Sequence, residues 1–141
     1  MPSRADVIEL ATELRLACMR ISRRVRFEST DNLAPHHFSV LVRLEEAVRT
    51  PRELAEIEKV SAPSMSRTIG CLEDEGLLTR SAAPDDGRSV LLSITPAGRA
   101  ALEAAREQRN EWMSSRLAAL TTEEREVLRR ASAVLAKVAA S

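Results

Sequence analysis

An arginine set among small side chains, Arg67 beside Ser64, Gly70 and Cys71, and a second arginine directly after the turn Pro84-Asp85-Asp86-Gly87, Arg88, are the strongest chemical features of this sequence. At about 100° per residue, Met65, Ile69 and Leu72 share one side of a helix, and the other carries Pro63, Ser64, Arg67, Gly70, Cys71 and Asp74. Small residues near the start of that face allow close approach to a duplex. Backbone N–H groups at a helix start favour phosphate, and an arginine reaches a base edge or the backbone. Taken alone, the same pattern also suits an ordinary solvated helix face. Arg88 projects from a hairpin tip, with Asp86 two residues away to hold its guanidinium. An arginine so placed can enter a narrow minor groove, where the potential is most negative; the plain alternative is a turn with incidental charges.

The elements that must carry these residues have clear signals. Thr50-Pro51-Arg52-Glu53 is a capping box with proline at the first helical position, and it opens a short helix with Leu54, Ala55 and Ile57 inward. Val60 begins a turn. Ser61 then caps a second helix, with Pro63 in its first turn and Gly76 at its end. Residues 77–81 and 89–95 bracket the turn as two strands, the second alternating Val90, Leu92 and Ile94 against Ser89, Leu91 and Ser93. A lone hairpin is marginal in water, so its apolar side must pack on the helices. The order is helix-turn-helix plus wing.

Leu54-Ala55, Ser64-Met65-Ser66-Arg67, Leu72-Glu73-Asp74-Glu75-Gly76-Leu77-Leu78-Thr79-Arg80, Asp86-Gly87-Arg88 and Leu92-Ser93-Ile94-Thr95-Pro96-Ala97-Gly98 together resemble the MarR family of bacterial transcription regulators. The resemblance covers nearly the whole chain. It implies a mainly α fold with a small β-wing (α+β), a winged helix-turn-helix with N- and C-terminal dimerisation helices. It also implies a dimer, usually a repressor, whose recognition helices read two half-sites of double-stranded operator DNA while wing arginines enter the flanking minor grooves. By the likeness, Ser64, Ser66, Arg67 and Thr68 match recognition-helix positions, and Asp86 and Arg88 match the wing pair. The expected organisation is one domain over residues 1–141, with dimerisation helices in 3–34 and 96–141 and the winged segment in 35–95.

Charge runs against the simplest form of this reading. The chain carries 21 Lys plus Arg and 21 Asp plus Glu, and within residues 35–95 seven basic residues face ten acidic ones. DNA binding then requires Arg67, Arg80 and Arg88 to converge on one surface while the acids face away. A winged helix used for protein contact is the alternative that this balance keeps open. No apolar run approaches the roughly 18 residues of a membrane span, and the first residues lack a signal peptide's apolar segment, so a cytoplasmic protein with no membrane contact is expected. No nucleophile has a base at recognisable spacing and no glycine-rich phosphate loop is present, so an enzyme is not expected, nor a cofactor.

The rest of the chain suits a frame. Val7, Ala11, Leu14, Cys18, Ile21 and Val25 form an apolar seam on a first helix over residues 3–28. A long helix after Thr95 carries Leu102, Ala105, Trp112, Met113, Leu117 and Leu120 inward. Thr121-Thr122-Glu123-Glu124 caps a last one with Val127, Leu128, Ala131, Val134, Leu135 and Val138 on one side. These three helices are expected to pack together, within one chain or as an intertwined homodimer. His36 and His37 lie at the start of a helix behind Pro35, but adjacent helical residues diverge and nothing completes a metal site. In resembling proteins a pocket at the junction of these helices takes small aromatic or phenolic effectors. Met19, Arg23, Phe27, His37, Phe38 and Trp112 are its expected lining here. Some relatives sense oxidants through a cysteine activated by tyrosines. This chain has two cysteines, Cys18 and Cys71, and no tyrosine, and Cys18 in the seam is expected to be buried and inert, which leaves a thiol-based redox regulator as a further alternative.

Overall fold

Helix boundaries in this chain follow from capping chemistry. The structure is a computed structural model and describes residues 1–29, 32–84 and 88–141. Helix α1 (Arg4–Glu28) starts behind Ser3, whose hydroxyl accepts the Asp6 N–H while the Asp6 carboxylate accepts the Ser3 N–H, both at 3.1 Å. Helix α2 (Pro35–Glu46) has no side-chain cap. Helix α3 (Pro51–Glu58) begins at the expected box of Thr50 and Glu53, and α4 (Ala62–Asp74) behind Ser61. Strands β1 (Leu78–Ala82) and β2 (Val90–Ile94) precede α5 (Pro96–Ala118), capped by Thr95, and α6 (Thr122–Ala140), capped by the box of Thr121 and Glu124. Each such cap is worth about 1 kcal/mol, because it satisfies an amide the helix itself cannot.

The two strands pair antiparallel, with Leu78 opposite Ile94 and Arg80 opposite Leu92. The hairpin is not left to itself. Arg49, in the connection between α2 and α3, exchanges both backbone hydrogen bonds with Leu92, at 3.2 and 2.8 Å, and so adds a third edge. Leu92 is fully buried beneath it. Asp85, Asp86 and Gly87 at the tip lie outside the described residues.

The core sits under the wing. Val40, Leu41 and Leu44 from α2, Leu54 from α3, Met65, Ile69 and Leu72 from α4, Leu77, Leu78 and Leu92 from the hairpin and Leu102 from α5 are all buried together. Burying each leucine contributes about 1.5–3 kcal/mol, and with so few aromatics these aliphatic chains supply the cohesion. Helix α5 approaches the hairpin closely at Gly98, where an added Cβ would lie 2.1 Å from Leu77 O. Thr95 ties the junction: its hydroxyl donates to Gly76 O at 2.6 Å and accepts the Gly98 N–H at 3.0 Å. Gly76 has φ +74°, which lets the chain leave α4 in the left-handed region at no Cβ cost.

The terminal helices behave differently. Neither α1 nor α6 buries a single residue, and their apolar faces stand open, with Val7 52% and Val138 66% exposed. Three terminal helices packing within one chain is therefore not what the structure shows. Helix α1 meets α5 near its C-terminal end, where Trp112 Nε1 donates to Glu28 at 3.0 Å, and the seam above it has no cover. Cys18 is exposed for the same reason, contrary to the expectation of a buried thiol; Cys71 is exposed too, and both are free. Among the described residues no helix is long and apolar enough to cross a membrane.

Candidate nucleic-acid interface

Burial of Met65, Ile69 and Leu72 sets the rotation of α4 and turns its other face outward. The turn before it is tight: Lys59 takes φ 55°, ψ 44°, and the Val60 amide donates to Ala55 O at 3.1 Å. A side chain in this left-handed region costs roughly 1–2 kcal/mol, which the packing of α3 against α4 must hold. Ser61 then accepts the Ser64 N–H at 3.2 Å.

On the outward face Ser66 and Arg67 are exposed, and Ser64 and Thr68 are half-buried. Thr68 donates its hydroxyl hydrogen to Ser64 O at 3.3 Å, leaving its oxygen as an acceptor. Arg67 forms no ion pair among the described residues. The structure gathers Ser64, Arg67 and Thr68 along one groove, shared with His36, His37 and Cys71. Ser66 lies across the helix in a second groove, with Arg52, Ala55, Val60 and Ala62. That His36, His37 and Arg52 neighbour the outward face of α4 was not legible, because only tertiary packing brings α2 and α3 beside α4.

Arg80 departs from the expected convergence. On β1 its Nε donates to Glu73 Oε2 at 2.9 Å, so one acid of α4 faces it rather than facing away. Several other acids of the winged segment are matched in the same way. Glu46 meets Arg49 at 3.2 Å, Glu58 meets Arg43 at 3.6 Å, Glu56 meets Arg52 at 3.2 Å, and Glu45 takes a two-pronged bond from Arg106 at 2.8 and 3.0 Å. Such exposed pairs add little stability, but they cancel acidic charge locally and leave Arg67 as the unmatched cation of α4. Arg88 stands exposed where the chain re-enters the wing, and Asp86, its expected holder, lies outside the described residues.

The six residues expected to line an effector pocket do not come together. Met19 and Phe27 are exposed on α1, with Arg23 5.4 Å from the Phe27 ring centre. His37 faces α4 instead. Phe38 packs on the core under the Arg109 guanidinium, 3.9 Å from its ring centre. Trp112 lies between Arg116 at 3.7 Å and Arg24 at 5.5 Å. Hydrogen bonding from Arg24, then from Trp112, and the charges of Arg24 and Arg116 hold the Glu28 carboxyl below its usual range. A different cavity, of about 290 Å³, opens between α5 and the ends of α4 and the α1–α2 connection, lined by Asn32, Leu33, Glu75, Leu77, Ala101, Ala104, Ala105 and Gln108. Gln108 Oε1 is buried there without a hydrogen-bond partner among the described residues. Among those residues no cluster of three or more His, Cys, Asp or Glu is arranged to hold a metal ion.

Known proteins share this arrangement. A family profile described as MarR family matches residues 31–89. An uncharacterized HTH-type transcriptional regulator of Mycobacterium bovis is 42% identical over 125 residues, covering 87% of each chain. Another from Mycobacterium leprae is 40% identical over 125 residues, again covering 87% of each. The solved structure of a MarR family protein from Bacillus stearothermophilus superimposes with a TM-score of 0.82 over 97% of both chains at 23% identity.

Proposed function

Because the chain belongs to the MarR family of HTH-type transcriptional regulators, we propose that it is a homodimeric repressor of operator DNA, released by a small effector ligand. Regulators of this family bind operator DNA, usually as dimers. The observation that carries the reading is the outward face of α4: Ser64, Ser66, Arg67 and Thr68 with Arg67 unmatched, in a fold whose wing also carries an exposed Arg88. Arg67 reaches a base edge in the major groove and Arg88 the adjacent minor groove. Asp86 orients Arg88, and Arg80, held by Glu73, contributes through the backbone alone.

The dimer follows from the bare faces of α1 and α6, since apolar stripes of this length are covered in a stable regulator. Residues 3–34 and 96–141 form that frame and residues 35–95 the reading unit, one per half-site. The two are coupled by α5. Arg106 grips Glu45 of α2, and Arg109 donates to Leu33 O at 2.9 Å while covering Phe38. A small aromatic or phenolic effector bound beside α5, in the cavity at Gln108, pushes on these contacts and changes the separation of the two α4 helices. Two half-sites one turn apart demand about 34–36 Å, so a modest change releases DNA. The protein acts in the cytoplasm, with no cofactor.

A salt titration on duplex DNA with the mass of the complex measured alongside tests this. Affinity should fall log-linearly and steeply with salt, with two chains per duplex. Salt-independent binding, or one chain per site, would contradict it.

A further inference from the structure

His36 and His37 open α2 with their rings edge to face, centroids 4.3 Å apart. Opposite them α4 presents Ser64, Arg67, Thr68 and Cys71, and together these six side chains line a groove of about 290 Å³. His36 and Arg67 are exposed, so the groove opens on the face of α4 that carries the unmatched arginine. Two imidazoles, a guanidinium and the Ser64 hydroxyl around one hollow can donate to an anion, while the Thr68 hydroxyl hydrogen is already given to Ser64 O.

We propose that His36 and His37 clamp a backbone phosphate of the operator beside the bases that Arg67 reads, and that protonation of His37 makes operator affinity depend on pH. This rests on the reading of α4 as the recognition helix. Charged and titratable groups face the pair from three directions among the described residues. From α4 come Arg67 and Cys71, from its C-terminal end Glu75, and from α3 Glu58, which lines the adjoining groove with His36 and is occupied by Ser39 and Arg43. Burial first, and then the neighbouring His36, hold the His37 imidazole below its ordinary range, against the pull of Glu75. The free protein therefore keeps His37 neutral near neutral pH. A phosphate in the groove favours the cation and raises that pKa on binding. Affinity gained in this way is full below the free-protein pKa and is lost as pH rises through the pKa of the complex.

The test uses the full chain and a duplex that the wild-type protein selects from a random-sequence pool, with affinity followed by fluorescence polarisation at constant ionic strength from about pH 5 to 8. Wild-type affinity should fall as pH rises, by about tenfold for each unit by which DNA binding lifts a histidine pKa. The double variant His36→Gln, His37→Gln should bind more weakly at the acid end and lose most of the slope. His36→Arg combined with His37→Gln should recover the affinity while flattening the dependence, which a merely structural role would not produce. Unfolding midpoints of the variants confirm that each is folded. A double variant that keeps both the affinity and the slope overturns the clamp. Inorganic phosphate exchanged for chloride at equal ionic strength should weaken duplex binding by the wild-type protein more than by the double variant, and phosphate that weakens both alike also overturns the clamp. If the wild-type protein selects no sequence and binds no duplex even at low salt, the recognition-helix reading itself falls, and the clamp with it.

Discussion

Replacing Gly98 by alanine sets two opposite effects against each other. In a helix interior the exchange gains about 0.5–1 kcal/mol, because glycine loses more backbone freedom on folding. At this position the new Cβ would lie 2.1 Å from Leu77 O, 2.8 Å from Ile94 Cγ1 and 3.0 Å from Leu77 C. The Ile94 side chain can turn away. The Leu77 carbonyl cannot, since it accepts the Thr95 N–H at 3.1 Å, one residue before α5 begins. The helix must instead move off the hairpin by roughly 1 Å, and overpacking of this kind costs about 1–3 kcal/mol. Gly98→Ala should therefore destabilise the protein by about 1–2 kcal/mol once the propensity gain is subtracted. Urea unfolding read by Trp112 fluorescence, at one protomer concentration because dimer stability depends on it, measures this. Gly70→Ala is the internal control, since nothing lies within 4 Å of a Cβ there. It should stabilise α4 by up to about 1 kcal/mol while weakening operator binding, because the methyl group stands on the face that meets DNA. A neutral or stabilising Gly98→Ala would refute the close apposition of α5 to Leu77 and Ile94 at the base of the hairpin.

Arg67→Ala should cost about 1–3 kcal/mol of discrimination between operator and random duplex if the guanidinium reads a base, and should weaken both equally if it meets only phosphate; undiminished binding to both removes Arg67 from the interface. Arg88→Ala should lower affinity and lessen the preference for A·T-rich flanks, with Asp86→Ala milder in the same direction; tighter binding by Asp86→Ala would mean that its repulsion of DNA outweighs any holding role. Phenol, as a neutral probe, should weaken operator binding and change the emission of Trp112 one turn beyond Gln108 on α5, and operator should weaken phenol binding by the same factor; millimolar phenol that changes neither contradicts effector release through the cavity beside α5.

What the sequence disclosed was mostly local. The boxes of Thr50 with Glu53 and of Thr121 with Glu124 bond within one turn, so residue types at fixed spacing sufficed. The spacing of Met65, Ile69 and Leu72 likewise gave the orientation of α4 and hence its outward face. Contacts between elements were not legible. Glu73 and Arg80 lie seven residues apart across the helix-to-strand turn, and their pairing depends on the exit angle that Gly76 allows. The sequence places His37 near Trp112 in an expected pocket, yet the packing of α2 turns it to α4. Trp112 itself is held by Glu28 of α1 between two arginines, a contact spanning 84 residues that no periodicity encodes. The seam of Cys18 was correctly apolar, but an apolar stripe does not state whether its cover belongs to the same chain.

Hydroxyl-radical footprinting of the duplex selected by the wild-type protein tests the central claim most directly. Two α4 helices reading half-sites and two wings reaching beyond them should protect the sugars in two blocks centred about 10–10.5 base pairs apart, with further protection in the flanking minor grooves that Arg88→Ala abolishes. A single protected block, or a pattern that neither Arg67→Ala nor Arg88→Ala alters, would contradict the account.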